Sequence, residues 1–190
     1  MTTTSRSRHL LRCCPTSWWK KDDAFDREIR ERFEGTLERG VRGELAEWEQ
    51  APRGRLALVM LYDQLSRNMF RGTPRSFAQD QLARSVTKRA LEAGDDRVLT
   101  PTEVTFLLMP LMHAEDVSLQ NECVERFVAL REVCGTDEKV IANVERSVKY
   151  ARLHMVIIER FGRFPHRNEI LGRATTQEEA DFLKDPDSSF

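Results

Sequence analysis

Apolar residues recur at helical spacing along almost the whole chain, and this periodicity restricts the possible folds more than any other feature. A first stripe repeats every four residues, and a second follows the same pattern further on: Phe25, Ile29, Phe33 and Leu37, then Leu58, Leu61 and Leu65. Such spacing is typical of helices that bury one face. Strand-like alternation bounded by turns is missing, so the sequence predicts an all-α chain.

Capping signals divide the chain into separate helices. Thr100 to Glu103 and Thr176 to Glu179 are capping boxes, and Gly94 suits the position after a helix end. Pro110 is expected to kink or end its helix near Met109. We therefore predict about eight helices in antiparallel hairpins, close to residues 22–37, 44–49, 55–69, 73–93, 101–109, 117–134, 138–161 and 177–183.

Size and composition favour one globular domain. The 190 residues carry a net charge of -1 and no apolar run near the ~20 residues of a membrane span, so we expect neither a nucleic-acid nor a membrane partner. The four cysteines have neither disulfide nor zinc spacing, which indicates reduced thiols and a cytoplasmic protein. We assign the domain to residues 18–190 and leave its oligomeric state open.

The N-terminus is basic and lacks acidic residues. Between residues 1 and 21 it has five Lys or Arg residues and many Ser and Thr residues, which is the composition of an organelle transit peptide. Residues 1–17 are therefore either a disordered basic tail or a cleaved presequence. The second alternative would make the protein mitochondrial.

Several long strings in the sequence resemble one protein family. They are WWKKDDAFD (18–26), YDQLSRNMFRGT (62–73), FLLMPLMHAED (106–116) with Gln120, RFGRFPHRN (160–168), LGR (171–173) and Glu178-Glu179. Together they are similar to the family called domain of unknown function 924. The resemblance implies a tetratricopeptide-like, all-helical superhelical bundle, and it supplies no established activity. The chain departs from the family pattern in its first helix, where residues 1–17 offer only His9-Leu10-Leu11, and at Ser66, where proline is usual.

Polar residues are concentrated in the segments 63–80 and 154–173. In the first segment, Asp63 and Arg67, Gln64 and Asn68, and Arg67 and Arg71 lie four residues apart on one predicted helix. This ridge is either a ligand-binding surface, with forked arginines for a carboxylate or phosphate, or a structural network in which Asp63 neutralises Arg67. Arg71 also precedes a predicted helix N-terminus at Thr73, which favours anions.

The second segment interleaves charges with aromatic residues. Phe161, Phe164 and Pro165 should pack on the domain and hold the neighbouring polar groups in place, and Gly162 and Gly172 indicate special backbone geometry. Immobilised arginines bind anions at a lower entropic cost. The alternative is a set of salt bridges to Asp63, Glu115 or Asp116. The candidate ligand-binding residues of both segments are Arg67, Asn68, Arg71, Thr73, Arg163, His166, Arg167 and Asn168.

A third group of polar residues follows Pro110. His113, Glu115 and Asp116, with His154 further on, have no spacing diagnostic of a metal, and Glu115 and Asp116 also suit the start of the next helix. We therefore predict no metal and no cofactor. We also expect a supporting polar network that consists of Asp63, Gln64, His113, Glu115 and Asp116.

Two functions fit these residues. The first is a binding module that recognises an anionic ligand or a peptide end through its arginines. The second is a hydrolase or lyase that acts on a small anionic substrate, with His113 or His166 as the acid–base group and Glu115 or Asp116 orienting it. Geometry distinguishes them, because only the enzyme needs a histidine within hydrogen-bond reach of a carboxylate, inside a cleft with the arginines.

Overall fold

The computed structural model describes residues 21–186 and residue 188, and these residues are helical without any β-strand. Helix α2 is continuous from Pro52 to Met69 but changes geometry along its length, with α-helical parts Pro52–Met60 and Ser66–Met69 joined by a π-helical turn, Leu61–Leu65. The other helices are α1 (Asp23–Val41), α3 (Asp80–Glu92), α4 (Pro101–Met112), α5 (Val117–Val133), α6 (Glu138–Phe161) and α7 (Gln177–Phe182).

Short 3₁₀ turns occupy several of the connections. They cover Ala46–Gln50, Pro74–Phe77, Asp95–Arg97 and Pro165–Arg167. Two of them correct the sequence-based boundaries. The predicted helix at 44–49 is a 3₁₀ turn, and the one predicted to start at Thr73 is a 3₁₀ turn at Pro74 before α3 begins at Asp80.

Helix N-termini follow the side-chain caps in the sequence. Both predicted capping boxes are present, with Thr100 and Glu103 starting α4 and Thr176 and Glu179 starting α7. Asp22 caps α1 by accepting the backbone N–H groups of Ala24 and Phe25. These side chains satisfy N–H groups that have no partner inside a helix, which explains why the starts were predictable.

The helix does not end near Met109, which was one of the two outcomes expected of Pro110. Helix α4 continues for two residues beyond the proline and ends at Met112, with His113 as its C-cap. A proline removes only one N–H donor, and Pro110 is itself buried among apolar neighbours. The continuation matters for the site, because it fixes the position at which His113 leaves the helix.

The helices pack as consecutive pairs around one large core. Helix α5 packs along α6 and against α4, while α2 packs against α3 and α4. Short turns join α4 to α5 and α5 to α6, and packed helices connected in this way run in opposite directions, as in a helical bundle. The core contains both predicted stripes, with Phe33 and Phe25 at its edge, and its centre is fully buried at Leu107, Leu108 and Phe127.

A smaller core holds the C-terminal segment in place. Ile157, Ile158 and Phe164 are buried together, and Phe161 and Phe182 pack on them. Gly162 ends α6 at φ 66° and so turns the chain back without strain. This confirms the special backbone geometry predicted at Gly162, and segment 163–173 is thereby packed on the domain.

No helix within the described part of the chain has the length and apolar character needed to cross a bilayer. Cys123 and Cys134 are both buried and reduced. Cys13, Cys14 and the whole of residues 1–17 lie outside the described residues.

Candidate functional site

The π-helical turn of α2 places a carboxylate inside the protein. Asp63 is only 2% exposed. Its Oδ1 lies 2.8 Å from Nδ1 of His113 and 2.8 Å from a terminal nitrogen of Arg67, and its Oδ2 lies 3.0 Å from the same histidine nitrogen. A π-helical turn adds a residue to the helical repeat, and such turns are frequent at functional sites. Asp63 therefore joins α2 to the end of α4.

Arg67 links this carboxylate to a second one. Its two terminal nitrogens donate to the two oxygens of Asp80 at 3.0 and 3.1 Å, while one of them also contacts Asp63. Burial raises the pKa of Asp63, but the nearby charge of Arg67 and then that of His113 outweigh it, leaving the pKa at about 2. Asp63 is consequently ionised and accepts hydrogen bonds only.

His113 has the geometry of a base oriented by a carboxylate. Since ionised Asp63 can only accept, Nδ1 of His113 carries the proton and donates it. Burial lowers the pKa of His113, and Asp63 raises it again only in part. The ring is therefore neutral at pH 7, with a lone pair on Nε2, which has no hydrogen bond among the residues 21–186.

Arg167 is a buried cation with an incomplete set of partners. It is 5% exposed, and its guanidinium carbon lies between two rings, 4.8 Å from the centroid of Phe77 and 4.4 Å from that of Phe164. Its nearest carboxylate oxygen, on Asp80, is 3.7 Å away, and its Nε is buried without a hydrogen bond in the described structure. Burial, followed by repulsion from Arg67, lowers the pKa of Arg167 to about 10, so it remains charged at neutral pH.

These groups meet at a cleft of about 520 Å³ between α3, the end of α4, the start of α5 and the C-terminal segment. Its lining contains one histidine, two arginines, three carboxylates and four apolar residues: Phe77, Asp80, Arg84, His113, Ala114, Glu115, Asp116, Leu119, Arg167 and Leu171. A ligand in the cleft would lie beside both His113 and Arg167. The cleft thus combines a histidine that is hydrogen-bonded to a carboxylate with nearby arginines, which is the geometry that only the enzyme hypothesis requires.

The wall that contains Arg167 is fixed by ion pairs. Arg173 binds both oxygens of Glu115, at 2.7 and 3.0 Å, and donates to the carbonyl of Phe164 and the side chain of Asn168. Glu115 also accepts the backbone N–H of Phe164 at 2.9 Å. Glu115 therefore fixes the segment that carries Arg167, whereas Asp63 orients His113.

Several predicted ligand-binding residues lie elsewhere. Arg71 and Asn68 both bind Asp26 of α1, Gln64 donates to Asn68, and the Thr73 hydroxyl donates to the Phe70 carbonyl. Arg71 and Asn68 line a separate cleft beside α1. Thus the ridge on α2 divides: Asp63 and Arg67 contact His113 and Asp80 of the first cleft, whereas Asn68 and Arg71 line the second.

The second polar segment divides in the same way. Arg163 forms a two-point ion pair with Glu179 of α7, and Asn168, fully buried, donates to the same carboxylate. His166 packs on Phe164, with ring centroids 5.6 Å apart, and its Nδ1 is buried without a hydrogen bond among the described residues. Of the candidate ligand-binding residues in this segment, only Arg167 lines the cleft with His113.

Among the polar and aromatic lining side chains, three were not singled out from the sequence. Phe77 and Asp80 complete the surroundings of Arg167 and Arg67, and Arg84 follows one helical turn after Asp80. Phe77 and Asp80 stand within the polar segment 63–80, yet no spacing connects them to Arg167. Three His, Cys, Asp or Glu side chains do not converge anywhere among the described residues in a way that would hold a metal ion.

Buried histidines should make the fold sensitive to acid. Burial, and then His113, lowers the pKa of His154 to about 3, while burial, and then Arg167, lowers that of His166 to about 4. Both ordinary values are 6.5, so the unfolded chain takes up these protons first and stability falls as the pH drops below 6.5. Between pH 7.5 and 5.5 these two histidines should lower the free energy of unfolding by about 3 kcal/mol, as measured by urea denaturation.

The control for this prediction is His154→Phe, which removes one titrating group. Its free energy of unfolding should fall by about half as much over the same range. Asp63 does not contribute to this window, because its pKa of about 2 lies well below it. If the free energy of unfolding fell equally with pH in both proteins, His154 would not be one of the groups that cause the acid sensitivity.

Comparisons with known proteins agree with this architecture. The family model described as "Bacterial protein of unknown function (DUF924)" matches residues 9–187. The solved structure of a protein of unknown function from Agrobacterium tumefaciens is 37% identical, covering 90% of this chain and 89% of that one, with a TM-score of 0.78. A search among curated proteins finds no match. The chain therefore belongs to the bacterial family of unknown function DUF924.

Proposed function

We propose that the protein is an enzyme in which His113 acts as a general base on a small substrate whose anionic group binds Arg167. The observation that carries this proposal is the contact between His113 Nδ1 and Asp63, at 2.8 Å, on a histidine that lines a cleft. A binding module has no need of a neutral histidine held by a buried carboxylate. A general base needs both, because the carboxylate fixes the tautomer and orients the ring.

The charge on the substrate is argued from Arg167. A guanidinium that is 5% exposed and lacks a partner for its Nε has lost hydration without full compensation. An anionic group in the cleft would supply the missing hydrogen bonds and charge. The two flanking rings hold the guanidinium in place, so that little conformational entropy is lost on binding.

The reaction class follows from what His113 can do. Its Nε2 can accept a proton either from a water molecule that attacks an ester or amide, or from a carbon next to the anionic group in an elimination. In hydrolysis a C–O bond forms to the water oxygen as the bond to the leaving alcohol or amine breaks. In elimination a C=C bond forms as the bond to the leaving group on the neighbouring carbon breaks. The imidazolium, which ionised Asp63 stabilises, then gives its proton to the leaving group. The protein is thus proposed to be a hydrolase or a lyase, and Arg167 is placed to stabilise negative charge that develops on the substrate.

The test is His113→Asn, which keeps an N–H donor for Asp63 but removes Nε2. Mixtures of small carboxylic acids, phosphate esters, carboxylic esters and amides would be followed by ¹H NMR with each protein. We expect the variant to bind the substrate with little change and to convert it about 10²–10⁴-fold more slowly. Turnover by the wild type should fall in acid, as His113 becomes protonated, and be level above pH 6.5.

Two outcomes would contradict the proposal. Equal turnover by both proteins would remove His113 from the reaction. If both proteins bind the same compounds and neither converts any, the cleft is a binding site, as in the first of the two predicted functions. Arg167→Gln serves as the second variant, and it should weaken binding of the same compounds.

A further inference from the structure

Some of the charged side chains that line the cleft form ion pairs within the protein, and others do not. Asp80 receives two hydrogen bonds from Arg67, and Glu115 receives two from Arg173. In contrast, Arg84 and Asp116 form no ion pair in the described part of the chain, and both line the cleft. With Arg167, the cleft therefore offers two cations and one carboxylate that a ligand can reach.

The reachable carboxylate is Asp116, at the N-terminus of α5. One oxygen of Asp116 accepts the backbone N–H of Leu119 at 3.0 Å and so caps the helix. The other oxygen makes no hydrogen bond within the described residues, and the side chain is exposed. It can accept a hydrogen bond from a ligand without breaking the cap.

The overall charge of the site limits what it can hold. The lining residues and their ion-pair partners balance, with four cations and four anions: Arg67, Arg84, Arg167 and Arg173 against Asp63, Asp80, Glu115 and Asp116. A doubly charged phosphate would find no surplus positive charge. A ligand with separated charges of both signs would complement the site without changing its net charge.

We propose that the cleft binds a small ligand that carries both a carboxylate and an ammonium group, namely a free amino acid or a dipeptide. The carboxylate lies against Arg167 and Arg84, and the ammonium group donates to Asp116. The apolar side chain of such a ligand would face the wall formed by Phe77, Leu119 and Leu171. This proposal narrows the substrate class of the proposed function, but it does not depend on His113 acting as a base.

The experiment is a thermal-shift and calorimetric titration with matched probes. Free amino acids, dipeptides and inorganic phosphate are compared first. For an apolar amino acid that binds, leucine being the model, the probes are the acid without its amine (4-methylpentanoate) and the amine without its carboxylate (3-methylbutylamine). Free amino acids and dipeptides distinguish the two sources of the ligand. We expect at least one of them to raise the Tm, and both analogues and phosphate to have a much smaller effect at equal concentration.

The decisive variant is Asp116→Asn, since asparagine also caps helices and the fold should be kept. We expect it to weaken binding of the amino acid or dipeptide about tenfold and to leave binding of the deaminated analogue unchanged. The matched control is Glu125→Gln, an exposed carboxylate on the same helix that does not line the cleft, and it should bind like the wild type.

The proposal is overturned if phosphate or the deaminated analogue binds as tightly as the amino acid, if no amino acid or dipeptide binds, or if Asp116→Asn has no effect. These failures are separate from failure of the proposed function. If the protein converts a phosphate ester and needs His113 to do so, the proposed enzymatic function is supported and the zwitterionic ligand is refuted. If an amino acid binds but is not converted, the zwitterionic ligand is supported and the proposed enzymatic function is not.

Discussion

Replacement of Asp63 by asparagine is expected to lower the free energy of unfolding by about 3–5 kcal/mol, which is the cost of breaking a buried ion pair from one side. Asparagine has nearly the same volume, so the loss comes from charge and not from a cavity. Arg67 would keep Asp80 but lose the Asp63 oxygen at 2.8 Å, and Arg167 would lose a nearby negative charge. Equilibrium denaturation in urea measures the change.

The matched control for Asp63→Asn is Glu28→Gln on α1. Glu28 also pairs with an arginine at 2.8 Å, but its side chain is 59% exposed. Exposed pairs contribute little, so we expect a change within about 0.5 kcal/mol. A loss below about 1 kcal/mol for Asp63→Asn would mean that water or a rearranged Arg67 compensates for the missing carboxylate.

Substitution of Gly54 by alanine is expected to cost about 3 kcal/mol or more, because the first turn of α2 has no room for a methyl group. A Cβ at Gly54 would lie 1.9 Å from the carbonyl oxygen of Trp48 and 2.8 Å from its carbonyl carbon. Both atoms belong to the backbone, so a side-chain rotation cannot relieve the overlap and the 3₁₀ turn Ala46–Gln50 must move away. The midpoint of thermal unfolding should fall accordingly.

Gly35→Ala provides a control of opposite sign within the same protein. Gly35 lies inside α1, and no atom comes within 4 Å of the position its Cβ would occupy. Alanine there reduces the conformational freedom of the unfolded chain, which should stabilise the protein by about 0.5–1 kcal/mol. If both glycine substitutions changed stability in the same direction, backbone propensity and not the contact with Trp48 would be the cause.

The helices were predictable because their signals are local. Neighbouring residues indicated the start of α1 at Asp23 and both ends of α6, at Glu138 and Phe161. They also indicated both capping boxes. The π-helical turn Leu61–Leu65 was not, since its five residues have no composition that separates them from an α-helical stripe. Pro110 misled the prediction because helical continuity after a proline depends on packing.

The site could be predicted only in part, because its partners lie far apart in the sequence. His113 was identified as a candidate base, but its orienting carboxylate, Asp63, is 50 residues away, whereas the adjacent Glu115 and Asp116 have other contacts. The number of available arginines was overestimated for the same reason. Distant acids on other helices neutralise Arg71 and Arg163, and no pattern in the polar segments indicates which acids those are.

The bracing of the cleft by the last third of the chain has a consequence for protein synthesis. The ribosome makes His113 and its polar neighbours well before it reaches Arg167 and Arg173, the residue that fixes the segment of Arg167; these neighbours are Asp63, Arg67 and Asp80. Until then the histidine faces an open surface without its cation and without the Phe164 wall. A nascent chain therefore lacks a complete site even when its first helices have folded, so that any activity of the cleft appears only after Arg173 has been translated.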